Sequence, residues 1–169
     1  MTTKNSSLVT NYEASPTVMN PTQELHGRVR MAQGTIALAT GDLDDNDIVM
    51  LAPVPKGCSI TSIQLASDDL DSNGSPTLAW NVGVYETDGT VVDEDCYATA
   101  ITLGQAATAF TEYRFEAANI TTTGQKVWED AGVSSDPGGD HYYIALTASA
   151  AAATAAAGDI AFKIEYVVD

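Results

Sequence analysis

The chain has 169 residues, enough for one domain with a buried core, and sets 23 Asp and Glu against 7 Lys and Arg for a formal net charge of −16. That balance counts against a nucleic-acid partner, because affinity for phosphate backbones comes from clustered Lys and Arg. No apolar run approaches the roughly 20 residues of a membrane-crossing helix, and the opening Met1–Ser7 lacks the apolar stretch of a secretory leader, so a soluble, cytoplasmically made chain is expected.

Residues 1–27 stand apart. They hold Pro16 and Pro21, many Ser, Thr and Asn, and no clear period. Within the first 30 residues Lys4, Arg28 and Arg30 outnumber Glu13 and Glu24, whereas the remaining 139 carry 4 basic and 21 acidic groups. Residues 1–27 read either as a solvated tail, as termini often are, or as an extended N-terminal arm that orders only against a partner; the asymmetry argues for carrying the arm, ahead of a domain over 28–169.

From Arg28 onward short strands follow one another. Val29 and Met31, then Ile36 and Leu38 past Gly34, mark the first, and Asp47–Val54 reads as a strand buried on both faces that Pro53 and Pro55 stop. Cys58–Leu65 is a third. Leu78, Trp80, Val82 and Val84 alternate with Asn81 and Gly83, a cleaner case. Phe110–Phe115 is shorter. Tyr142, Ile144 and Leu146 alternate, as do Ile160, Phe162, Ile164, Tyr166 and Val168, the latter with Lys163 and Glu165 on a wet face. Turn signals separate these runs, among them Ser72-Asn-Gly, Asp88-Gly and Asp136-Pro-Gly-Gly. The expected fold is all-β, an antiparallel β-sandwich or jelly roll of about eight strands. Residues 97–109 read as a short helix or irregular crossover, and Lys126–Ala131 as one helical turn with Trp128 plugging an end of the sandwich. The Ala-rich 148–157 has helical propensity but lies between two strong strand patterns, so a long hairpin tip is expected there.

Chemistry is sparse. His26 and His141 have no metal-spaced companion, and there is no paired Cys-x-x-Cys, phosphate-binding loop or nucleophile elbow. Cys58 and Cys96 read as small hydrophobes. Asp42, Asp44, Asp45 and Asp47 fall in one loop, Asp68, Asp69 and Asp71 in a second, and Asp93, Glu94 and Asp95 in a third. Asp69, Asp71, Asn73 and Gly74 match the opening of a calcium loop, but its twelfth position is Trp80 where a bidentate Glu belongs, so a tight acidic turn is favoured. Trp80, Trp128, Tyr142 and Tyr143 are the aromatics available for sugar stacking, and Trp80 sits in a core-type alternation. No catalytic residue, cofactor site or metal site is assigned, and no enzyme activity is expected.

His26–Leu38 (HGRVRMAQGTIAL), Asp88–Asp93 (DGTVVD), Lys126–Gly132 (KVWEDAG) and Gly158–Tyr166 (GDIAFKIEY) resemble small virion proteins, the capsid decoration (cement) proteins of tailed double-stranded DNA bacteriophages. The likeness runs along most of the chain in texture and short phrases. It implies a small, acidic β-fold without cofactors, bound to the outer surface of the major capsid protein shell, and self-associated as a homodimer or homotrimer. No functional residue is carried over by motif. The charge split itself picks Lys4, Arg28 and Arg30 as capsid contacts, with residues 6–27 as a tether. Alternatives are a head- or tail-fibre module recognising host glycan, which needs an exposed aromatic patch, and a head–tail connector component.

Overall fold

The computed structural model describes residues 5–19, 27–117 and 120–168. Eight strands carry the fold: β1 (Arg28–Leu38), β2 (Ile48–Pro55), β3 (Ser59–Ser67), β4 (Ala79–Tyr85), β5 (Val91–Ile101), β6 (Thr108–Glu112), β7 (His141–Ala150) and β8 (Gly158–Val168). Two short helices accompany them, α1 (Ser7–Glu13) and α2 (Val127–Asp130). The strands form two antiparallel four-stranded sheets, ordered β1-β8-β3-β6 and β2-β7-β4-β5. Each strand in the first half pairs with its mirror in the second: β1 with β8, β2 with β7, β3 with β6 and β4 with β5. A single long hairpin rolled upon itself produces this order, and that is a jelly roll.

The inner faces obey the period of two. Ile160, Phe162 and Ile164 of β8 and Ile63 and Leu65 of β3 face Val82 and Val84 of β4 and Ile144 and Leu146 of β7 in one buried cluster. Each such side chain withdrawn from water contributes about 1.5–3 kcal/mol. On the outer face of β8, Lys163 and Glu165 pair at 2.8 Å, about a third exposed, as the alternation predicts. Trp80 is fully buried, and Trp128 on α2 packs against the core from its rim.

Several local expectations need correction. β1 keeps one register with β8 from Arg28↔Val168 to Leu38↔Gly158, without a break at Gly34. Ile36 and Leu38 therefore face inward while Val29 and Met31 lie on the outer face, 62% and 49% exposed. Gly34 is on the inner face beneath the Phe162 ring, which comes within 2.9 Å of where a Cβ would stand, so the aromatic covers the gap. β2 ends at Pro55, as expected, having passed through Pro53, but it is an edge strand and not buried on both faces: Ile48 and Pro53 are exposed. Edge strands tolerate proline because a missing N–H can face outward. The acidic run Asp93–Asp95 is strand rather than loop, and residues 97–101 complete the same β5. Its charges and its register shifts against β4 hide the alternation.

The Ala-rich segment is non-helical, as expected, yet it is no hairpin tip. β7 belongs to one sheet and β8 to the other, so residues 151–157 cross between them. Where an extended arm was expected, α1 forms a two-turn helix. Ser6 caps it, its Oγ accepting from the Val9 N–H at 3.3 Å.

Candidate interface at the β1 edge

Asp71 anchors the crossover that the acidic-loop reading left unexplained. Its buried carboxylate accepts N–H bonds from Thr77 at 2.7 Å, Leu78 at 3.1 Å, Ala153 at 2.9 Å and Thr154 at 2.8 Å. Burial alone would push this carboxyl up, but the four backbone N–H groups overcome it and hold Asp71 well below the usual carboxylate range. The neighbouring groups are engaged likewise: Asp68 accepts from the Asp159 N–H at 2.9 Å, and Asn73 accepts from the Ser75 N–H and donates to Thr154. The calcium-like opening thus works as a staple between the residues before β4 and the β7–β8 crossover. Among the described residues, no three His, Cys, Asp or Glu side chains are grouped to hold a metal ion.

A second buried polar cluster lies between β5, the stretch after β6, and α2. Arg114, fully buried, donates from Nη2 to both Asp130 carboxylate oxygens at 2.9 and 3.0 Å and from Nε to the Ile60 carbonyl at 3.0 Å. Its guanidinium stacks on Tyr97 and Phe115, and the Tyr97 hydroxyl donates to Asp130 at 3.3 Å. Burial raises the Asp130 carboxyl to about 6 against the opposing pull of Arg114. Nothing in the sequence marks Arg114, an isolated cation after a strand. The cysteines are free thiols; burial pushes Cys58 up to about 12 and Cys96 well above its ordinary value, so neither is a thiolate nucleophile near neutral pH. His141 is exposed at the start of β7, and His26 lies outside the described residues.

The predicted contact residues converge in part. Lys4 lies outside the described residues. Arg28 and Arg30 sit two apart on one face of β1, opposite Val168 and Tyr166, and both are exposed. Other cations are committed: Lys56 to Glu86 at 2.9 Å, Arg114 to Asp130, and Lys163 to Glu165. Between and beside the two arginines, Val29 and Met31 project from the other face of the strand. Further along that face, Gln33, Thr35 and Ala161 floor an open cleft of about 410 Å³ walled by the half-exposed Phe110.

The sandwich has four sheet edges, and three carry devices that block pairing with another chain. β2 has Pro53, Pro55 and a register shift, while β6 is five residues long and opposes a shift between Leu65 and Ser67. β5 has three shifts against β4 and carries Asp93, Glu94 and Asp95. Short length, proline, bulges and charge are the usual means of blunting an edge. β1 is different: eleven residues in unbroken register, with no proline and no carboxylate.

These features define a jelly-roll protein with one long strand edge, β1, free of proline and bulges. No protein-family model and no curated protein matches the chain. Solved structures do. A chain of the capsid asymmetric unit of cyanophage Pam1 aligns over 100% of both chains with a TM-score of 0.60 at 21% identity. A chain of the capsid of Ralstonia phage GP4 aligns over 89% of this chain and 91% of that one, with a TM-score of 0.62 at 24% identity. A chain of the acid-stable capsid of Helicobacter pylori bacteriophage KHP30 aligns at a TM-score of 0.39 and 11% identity, too distant to bear on the fold.

Proposed function

We propose that this chain is a structural protein of a bacteriophage virion, a decoration protein that binds the outer surface of the major capsid protein shell and reinforces it. The observation that carries this reading is the likeness, over all or nearly all of the chain, to chains within two phage capsids. Near-complete coverage in both directions means that the capsid chains it resembles are of similar size. The sequence phrases that resemble decoration proteins point the same way, and so does the chemistry: the buried polar clusters are engaged in holding loops, and the thiols are protonated.

Physically, a −16 chain resists self-aggregation when crowded on a lattice. Many weak copies on a symmetric shell add up through multivalency, opposing pressure from packaged DNA. The arm, with Val9, Tyr12, Val18 and Met19 exposed, supplies apolar groups that a partner surface would bury. Imaging of particles that carry this chain tests the proposal: many copies on the outer shell are expected, and a location confined to the portal vertex or tail tip overturns it. Deleting residues 1–25 should leave a folded domain that no longer coats expanded heads. Undiminished coating by the truncated protein would remove the tether.

A further inference from the structure

Resting on the decoration reading, we propose that the free edge of β1 is a docking strand, and that its occupant is an extended segment of the shell protein in which acidic and apolar residues alternate. The segment would add to the sheet beside β1, extending the order β1-β8-β3-β6 by one strand.

Three observations carry this. First, β1 has no proline, bulge or carboxylate and is not short, its charges being Arg28 and Arg30 alone, whereas β2, β5 and β6 are interrupted by proline, register shifts, carboxylates or short length. An eleven-residue edge with an unbroken register offers a row of backbone donors and acceptors, an aggregation liability unless something pairs with it. None of its outward backbone groups bonds elsewhere among the described residues.

Second, the occupant's chemistry can be read from the strand. Arg28 and Arg30 share one face, so carboxylates two residues apart on the incoming strand would meet them. Val29 and Met31 share the other face and call for apolar residues at the intervening positions. Third, charge selects against the competing occupant, a second copy. This chain is strongly acidic overall, while β1 carries two cations and no carboxylate, so two such edges brought together repel through the whole molecule and gain no ion pair locally. The far half of β1 is partly sheltered, because Ile36 and Leu38 share a cleft of about 310 Å³ with Ile48 and Met50 of β2. Docking therefore centres on residues 28–33.

The test uses the full chain and shells assembled from the major shell protein alone. Binding is measured for the wild type and for the double variant Arg28→Glu/Arg30→Glu, whose exposed positions leave the core intact; equal melting temperatures confirm its fold. The double variant should bind on the order of tenfold more weakly, two rim attractions having become repulsions. Hydrogen exchange on the bound wild type should show new protection of the alternate backbone amides in residues 28–33 that point away from β8, and none in β5 or β6. If the wild type binds but the variant binds equally, or the β1 amides stay unprotected, the docking strand is wrong while decoration stands. If the wild type fails to bind shells at all, the decoration reading falls, and this inference with it. Concentration-dependent protection of the same amides in the chain alone would assign the edge to a second copy and overturn the proposal.

Discussion

Asp71→Asn isolates the staple that holds the crossover. Oδ2 accepts from Thr77, Leu78 and Ala153, and Oδ1 accepts from Thr154 and, at 3.4 Å, from Asn73. An asparagine can place its carbonyl oxygen at only one of these positions. Set at the Oδ2 site, its NH₂ then points at the Thr154 N–H, donor against donor. Each buried donor left unsatisfied costs about 1–3 kcal/mol, and bonds to a charged acceptor are worth more than those to a neutral one, so a loss of about 3 kcal/mol is expected. At about 2–4 °C per kcal/mol for a domain of this size, the variant should melt roughly 6–12 °C below the wild type at neutral pH.

The dependence on pH makes that test sharper. The folded carboxyl is held below its unfolded value of about 3.9, so its stabilisation is complete above that value and is lost as pH falls towards the folded pKa. The difference between wild type and variant should hold from neutral pH to about pH 5 and shrink below about pH 4. Thermal or urea unfolding measured across that range checks both statements. A variant within about 1 kcal/mol of the wild type at neutral pH would refute the reasoning, since even one orphaned N–H costs that much.

Two further outcomes follow from packing. Gly83→Ala should abolish soluble folded protein, because its Cβ would stand 2.1 Å from the Asp93 backbone oxygen, whereas Gly34→Ala meets only the Phe162 ring at 2.9 Å and should cost on the order of 1 kcal/mol; expression and melting of the pair discriminate. Arg114→Met leaves Asp130 buried without its cation and should cost about 3–5 kcal/mol at neutral pH in urea titrations. Asp130 already titrates near 6, above its ordinary value, and losing Arg114 raises it further, so this variant regains stability as pH falls through that range, the reverse of Asp71.

The sequence by itself determined the strands with a wet and a dry face. In β8, Ile160, Phe162 and Ile164 against Lys163 and Glu165 state a period of two that survives any tertiary arrangement, and the turn residues between runs set the number of strands close to eight. The charge split likewise singled out Arg28 and Arg30 as candidates, and the structure leaves both exposed on one face of β1. What only the tertiary structure decided was contact at long range. Asp71 reads as one more loop acid until Ala153 and Thr154, more than eighty residues away, bring their N–H groups to it. Arg114 carries no local signal because its partner Asp130 is on another element. β5 escaped because bulges break alternation, and the Ala-rich crossover misled because two consecutive strands need not share a sheet. That β1 is the long edge free of proline and bulges depends on where every other strand pairs. Propensity and period act over a few residues, whereas an edge is defined by the neighbours a strand lacks.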